Sequence, residues 1–246
     1  MQRYFIKNEM IEDDIIKLSN EQWHHINKVM RMKEKDLIYC IDSVGLIYLC
    51  EIENSKIPEV LIKSVSNKNY ELDVNINLIY GFPKNDKFEF VLQKATELGV
   101  KAIFPFIANR SQSKYIRESF IKKYNRYQKI IMEAGEQSYR NKLPSLKALT
   151  EFNQLVIPEA DIKIIAYEEN SKNGELSNLK KVLADLKAGI TVNIIVGPEG
   201  GFEQQEVEYF NSLGYISCSL GKRILRTETA PLYLLSVIGY LREFEY

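Results

Sequence analysis

From about residue 73 onward, short apolar runs alternate with longer amphipathic segments, and this alternation limits the folds open to the chain more than any other feature. VNINLIYGF, KAIFPFI, IKIIAY, TVNIIV and YISCSL read as strands. Between the first two lies DKFEFVLQKATELG, a predicted helix with an apolar face of Phe88, Val91, Leu92, Ala95 and Leu98. Asp86 and Glu89 are spaced as a capping box at its start, and Gly99 marks its stop. A longer helix is predicted from Ser119 to Gln137, with Ile121, Tyr124, Ile131 and Ala134 facing inward. Strands alternating with helices build an open α/β layer containing several parallel strands.

The first 70 residues have a different grammar. RYFI, DLIYCID, GLIYLCEIEN and PEVLIKSVS are short strands separated by turn formers such as Asp42, Ser43, Gly45, Asn54 and Pro58, which suggests a small β-barrel or sheet. One helix interrupts them, where Trp23, Ile26 and Met30 recur at three- and four-residue steps. His24 and His25 are adjacent on it, point in different directions, and so do not form the i, i+4 pair that a metal needs. They read as packing or surface residues. The polar segment SNKNYEL, 66 to 72, has linker composition, which predicts one domain over 1–70 and another over 73–246.

With 246 residues, 45% of them hydrophobic, the chain can fill one large core or two modest ones. Thirty-three basic and 33 acidic residues cancel, so only the distribution of charge is informative. Lys84 to Lys147 contains 14 Lys or Arg against 6 Asp or Glu, whereas Glu151 to Tyr215 contains 5 against 11. The basic stretch suits a polyanion, or is a solvated helix face. Tyr115, Tyr124, Tyr127 and Tyr139 interleave with it and could stack on exposed bases, although some of them must be core. Cys40, Cys50 and Cys218 lie in apolar runs without C-x-x-C spacing, so neither a disulfide framework nor a zinc site is expected, and reduced thiols in a cytoplasmic protein fit best. The charged start MQRYFIKNEM and the lack of about 18 uninterrupted apolar residues argue against export and a membrane span.

IIVGPEGGFEQQEV, 194 to 207, sets a β-branched strand against a Gly-Pro-Glu-Gly-Gly turn and a helix-like segment. Such a turn presents backbone N–H groups at the carboxyl end of a strand. Gly197, Gly200 and Gly201 match neither G-x-G-x-x-G nor G-x-x-x-x-G-K-[ST], so a standard dinucleotide or P-loop site is not indicated. By itself the turn is either a small-molecule pocket or an ordinary tight connection. The chain closes on SLGKRILRTETAPLYLLSVIGYL, where Thr227, Glu228 and Thr229 start a helix with Pro231 in its first turn. That helix is apolar on most of its surface and must be buried on several sides, most economically in a subunit interface.

GPEGGF and ILRTETA, preceded by KATELGV and EAGEQSYRNKLP, closely resemble the 16S ribosomal RNA (uracil-N3)-methyltransferases, the RsmE family within the SPOUT class. RYF and HHINKVMRM resemble the family's N-terminal PUA-like domain, so the likeness spans the chain. It implies an N-terminal PUA-like β-barrel that binds RNA and a C-terminal SPOUT α/β domain tied in a trefoil knot. It also implies a cytoplasmic homodimer, no metal, and methylation at N3 of one uridine in 16S rRNA of the small ribosomal subunit. S-adenosylmethionine would lie in the knot, held largely by backbone groups of three loops. These are Tyr167 and Glu168; Gly197, Pro198, Glu199, Gly200 and Gly201; and Leu220 through Thr229, including Gly221, Ile224, Leu225 and Thr227. Family members commonly carry a His-Pro-like pair where this chain reads Tyr167-Glu168.

For the transfer, Arg226 is the expected positive group and Glu228 the residue that accepts a proton or orients it. Roles among Glu133, Glu136, Arg140 and Glu228 stay open. Arg3, Arg31, Lys84, Arg110 and Arg140 are the expected RNA contacts. The rivals are another SPOUT reaction, at a ribose 2′-hydroxyl, and an RNA-binding ribosome-assembly factor without catalysis.

Overall fold

The computed structural model describes residues 1–84, 86–109, 113–167 and 177–244. They form two compact units, Met1–Glu71 with Met132–Leu143, and Leu72–Ile131 with Pro144–Tyr246. Residues 132–143 thus group with the N-terminal unit, although the sequence expectation ran one domain through 73–246.

The first unit is a six-stranded sheet. Its strands are β1 (Arg3–Phe5), β2 (Ile11–Glu12), β3 (Ile15–Lys17), β4 (Leu37–Ile41), β5 (Ile47–Glu51) and β6 (Glu59–Ser66), in the order β1-β4-β5-β6-β3-β2. β1 joins β4 in parallel and every other pair is antiparallel. Ile16, Ile26, Ile38, Cys40, Cys50 and Ile52 fill its core.

Helix α1 (Asn20–His24) starts on a capping box in which the Ser19 hydroxyl accepts from Gln22 N and the Gln22 amide oxygen accepts from Ser19 N. The next turn, His25–Val29, is a π-turn in which Met30 N donates to His25 O, five residues back. The wider turn shifts the apolar stripe. Trp23 and Ile26 still pack on the core, but Met32 joins them there while Met30 is turned to solvent, unlike the regular helix expected. His25 Nδ1 shares a 2.9 Å hydrogen bond with the Tyr4 hydroxyl.

The second unit is built on a seven-stranded parallel sheet of β7 (Asn75–Gly81), β8 (Ala102–Ile107), β9 (Ser145–Leu146), β10 (Thr150–Glu151), β11 (Ile162–Ala166), β12 (Thr191–Val196) and β13 (Ile216–Cys218). The order is β10-β8-β7-β12-β11-β13, with β9 also on β8. Because side chains alternate across a strand, the central runs feed two cores. Leu78, Tyr80, Ile194 and Val196 enter one, whereas Ile79, Ile165 and Ile195 enter the other. Each fully buried aliphatic side chain stabilises the fold by about 1.5–3 kcal/mol. Helices α2 (Lys87–Glu97), α4 (Asn178–Leu183) and α6 (Thr229–Glu243) cover the first face, and α5 (Gln204–Ser212) covers the second.

Two helix expectations are corrected. Asp86 makes no cap; its carboxylate accepts from Lys123 Nζ at 3.0 Å, while Glu89 accepts from Arg126 Nη2 at 2.7 Å. Cations on α3 (Ser113–Gln137) therefore take the carboxylates that the spacing had assigned to backbone N–H groups. On α3 itself Phe120, Tyr127 and Ile131 are buried, but Ile121 is 68% exposed and Tyr124 36%. Counting the stripe from Ile121 set its start one residue too far along. The last helix buries Leu234, Leu235 and Ile238 and leaves Tyr233 and Tyr240 exposed on the single chain, where the expected subunit interface would cover them.

Candidate cofactor pocket and catalytic residues

β12, β11 and β13 are neighbours in the sheet and run parallel, so their carboxyl ends, Val196–Gly197, Ala166–Tyr167 and Cys218–Leu220, meet at one edge. In open α/β sheets that edge is where ligands bind. A cavity of about 610 Å³ lies there, lined by Tyr167, by the whole turn Gly197, Pro198, Glu199, Gly200 and Gly201, and by Leu220, Gly221, Ile224, Leu225, Arg226 and Thr227. The structure thus gathers three segments that are separate in sequence, at Tyr167, Gly197–Gly201 and Leu220–Thr227, into one site. Thr229 is not on the wall: it is exposed at the first turn of α6, its N–H donating to Arg226 O at 2.8 Å. Glu168 lies outside the described residues.

The walls are held at specific atoms. The Thr227 hydroxyl donates to Gly197 O at 2.6 Å and lies 3.2 Å from the Tyr80 hydroxyl, tying the last loop to the glycine turn. Burial pushes the Tyr80 phenol well above its ordinary pKa, so it stays a neutral hydrogen-bonding group. Behind the turn, a Cβ at Gly81 would fall 2.5 Å from Pro198 Cδ and 2.7 Å from Pro198 N, so only glycine lets β7 end against it. Gly201 adopts φ +66°, and nothing lies within 4 Å of where its Cβ would be.

Lys87, at the first turn of α2, also lines the cavity, and sequence reasoning did not single it out. Its Nζ sits 3.2 Å from Glu199 Oε1 and 3.1 Å from Glu228 Oε2, and Lys84 N donates to the Glu199 carboxylate at 3.1 Å. The two carboxylates raise the Lys87 pKa, Glu228 most, against a smaller opposing effect of burial. Burial works against the charge of Glu228, but backbone hydrogen bonding, Lys87 and Arg226 outweigh it and hold its pKa below the usual range. Glu228 is therefore an ionised group facing two cations. Arg226 itself is exposed on the cavity wall. The only sequence signal for Lys87 was its place at the start of a helix otherwise read for its apolar face.

The expected RNA contacts fare unevenly. Arg31 and Lys84 are exposed, and Arg110 lies outside the described residues. Arg3 and Arg140 are corrected, being only 3% and 4% exposed. Arg140 Nε is 2.9 Å from both oxygens of Glu71, and its Nη2 is 2.6 Å from Oε2; this is a bidentate buried pair that leaves no edge for a phosphate. Of the 14 basic residues between Lys84 and Lys147, Lys87, Lys94, Arg117, Lys123, Arg126 and Arg140 are in ion pairs, so much of the local excess is neutralised in place. Glu136 accepts from Phe5 N and Glu133 is exposed; neither lines the cavity. Among the described residues no group of three His, Cys, Asp or Glu could hold a metal, and no helix is long and apolar enough to cross a membrane.

A family model for an RNA methyltransferase domain matches residues 70–239, and one for an RNA methyltransferase PUA domain matches 18–63. The chain is 42% identical to Ribosomal RNA small subunit methyltransferase E of Bacillus subtilis, over 99% of this chain and 98% of the relative. Among solved structures, the Ribosomal RNA small subunit methyltransferase E from Neisseria gonorrhoeae bound to S-adenosyl methionine matches with TM-score 0.83 at 28% identity, covering 98% of both chains. A putative methyltransferase from Legionella pneumophila, in complex with the bound cofactor SAM, matches with TM-score 0.83 at 31% identity over 96% of both.

Proposed function

Since the chain belongs to the RNA methyltransferase family that includes the ribosomal RNA small subunit methyltransferase E proteins, we propose that it transfers a methyl group from S-adenosylmethionine to N3 of one uridine in 16S rRNA. The observation that carries this is the cavity where three parallel strand ends and the glycine turn converge. Its volume, about 610 Å³, is within the range that encloses a cofactor-sized ligand. The open space at Gly201 leaves its backbone approachable, and Leu220, Ile224 and Leu225 offer apolar cover for an adenine whose edge would meet backbone groups. Bound S-adenosylmethionine supplies an electrophilic methyl on a sulfonium.

The chain's own residues do the rest. Uracil N3 is a weakly acidic imide that gives its proton to solvent water before or while it bonds to the methyl carbon, the carbon–sulfur bond breaking to leave S-adenosylhomocysteine, and negative charge spreads onto the flanking uracil oxygens. Arg226, exposed on the cavity wall and always charged, stabilises that charge. Glu228, held ionised by its surroundings, suits the orienting of Lys87 and Arg226 better than the acceptance of a proton, since an effective base has a pKa near the working pH. The segment Leu220 to Thr229 is taken as the part threaded through a trefoil knot. The exposed Tyr233 and Tyr240 on α6 support a homodimer, and the likeness to ribosomal RNA small subunit methyltransferase E proteins supports a cytoplasmic enzyme working on the small subunit.

Titration calorimetry with S-adenosylmethionine tests the pocket. The wild type is expected to bind and Gly200→Val to lose at least tenfold in affinity, because a branched side chain would project from the turn. Unchanged affinity in the variant would overturn the assignment. Mass spectrometry of 16S rRNA from cells lacking the protein is expected to show one N3-methyluridine missing.

A further inference from the structure

Arg3 is buried in the first unit with no carboxylate paired to it among the described residues. Its guanidinium instead faces three phenol rings, 4.8 Å from the Tyr139 centroid, 5.6 Å from Tyr70 and 5.9 Å from Tyr39. Its Nε has no hydrogen-bond partner, and Nη2 donates only to Arg140 O at 3.3 Å. An uncompensated cation in such a place is costly unless ring faces or a ligand meet it.

The rings above it are not core residues. Tyr70 and Tyr139 are each 42% exposed and meet edge-on at 6.2 Å. Lys68 Nζ lies 4.9 Å from the Tyr70 centroid, and Lys142 is exposed three residues beyond Tyr139. Both rings are fixed from below. Glu71 and Arg140, the neighbours of Tyr70 and Tyr139, are joined in the buried ion pair. Asn141 accepts from Tyr70 N at 2.9 Å and donates to Lys68 O and Gly45 O. Tyr139 moreover holds φ +63°, a left-handed conformation that disfavours a bulky side chain. An aromatic residue kept at a position that suits glycine, exposed over a buried cation, is poorly accounted for by stability alone.

We propose that Tyr70 and Tyr139 form a stacking platform for an unpaired base of the RNA, with Arg3 beneath the rings and Lys68 and Lys142 meeting the adjoining phosphates. Charge selects the occupant: two exposed rings bordered by lysines over an unpaired arginine suit a π-face carrying phosphates and repel a basic peptide. Aromatic rings stack on splayed bases but cannot enter a duplex stack, so the platform favours single-stranded RNA. This rests on the reading of the protein as an RNA methyltransferase, and it adds where the RNA is gripped.

The test measures fluorescence anisotropy of a labelled 12-nucleotide uridine-rich RNA, single-stranded and as a duplex, with the full-length wild type and the variants Tyr139→Gly, Tyr139→Phe and Tyr70→Ala. Tyr139→Gly and Tyr70→Ala are expected to weaken single-strand binding by about 5- to 100-fold with little change for the duplex, and Tyr139→Phe to bind within about twofold of wild type. Tyr139→Gly also relieves the backbone, so its melting temperature should be equal to or above that of wild type, which separates a lost ring from a damaged fold. Single-strand affinity unchanged in Tyr139→Gly and Tyr70→Ala, or no binding of this RNA by wild type, overturns the platform. So does a change in sedimentation of Tyr139→Gly without a change in RNA affinity, which would make the surface a protein contact. Methyl transfer to small subunits from cells lacking the protein distinguishes the two failures: if wild type methylates them, only the platform is wrong.

Discussion

Arg140 and Lys87 each face carboxylate oxygens, yet their surroundings differ. Arg140 is almost wholly enclosed and matched by the Glu71 carboxylate through its Nε and Nη2, in a pair that also receives the N–H of Asn141. Lys87 keeps 30% of its side chain exposed and is over-matched, with one ammonium between Glu199 and Glu228 on the wall of a cavity. A fully matched, enclosed charge can only hold the chain together. A solvent-reachable cation facing two anions can shift its allegiance when a charged ligand arrives.

The largest effect should come from breaking the enclosed pair. Arg140→Ala leaves Glu71 half-buried without its cation and is expected to cost about 3–5 kcal/mol of unfolding free energy in urea titrations. A loss below about 1 kcal/mol would erase the contrast. The sharper test is Lys87→Met. Its pairs are partly exposed, so stability should change by no more than about 1 kcal/mol. With the ammonium between the two carboxylates gone, a sulfonium cofactor should bind no more weakly, whereas transfer that passes through an anionic base should slow by about tenfold or more in single-turnover assays. Equal losses in stability and rate would make Lys87 another structural cation.

The smallest effect concerns pH in the first unit. Burial pushes the Glu136 carboxyl up from 4.5 to about 7. The folded state then holds a proton that the unfolded state releases, so this contribution is fully present below pH 4.5 and is lost as pH rises through about 7. Glu136→Gln should be more stable than wild type above that point by roughly 1 kcal/mol, allowing for partial exposure, and should flatten the stability profile between pH 5 and about 8. Parallel profiles would show that Glu136 is not held protonated.

What could be read in advance divides along the same line. The glycine turn was legible as a turn, because glycines, a proline and a β-branched run impose local geometry, but that it and the loop ending at Thr227 wall one cavity followed from the family resemblance. The buried face of α2 was also legible, from Phe88 to Ala95, because packing there follows the helical period. Lys87 was not, since its partners Glu199 and Glu228 are more than a hundred residues away and no spacing encodes them. Arg3 and Arg140 were misread as direct phosphate contacts for a related reason: a guanidinium in sequence looks the same whether it meets a phosphate, a carboxylate such as Glu71 or the rings of Tyr70 and Tyr139. Met30 lost its place to Met32 because a π-turn breaks the period on which the stripe was counted.

The grouping of Met132–Leu143 with the N-terminal sheet also orders events during synthesis. Asn141 donates to Gly45 O and Lys68 O, and Arg140 closes on Glu71, so the early sheet leaves the ribosome with these groups unsatisfied until the chain has been made as far as Leu143. A protein released at residue 71 would be a fragment waiting for its clasp. The half that is translated first is therefore not finished first, and by then the residues of β7, α2 and β8 of the second unit have already been synthesised.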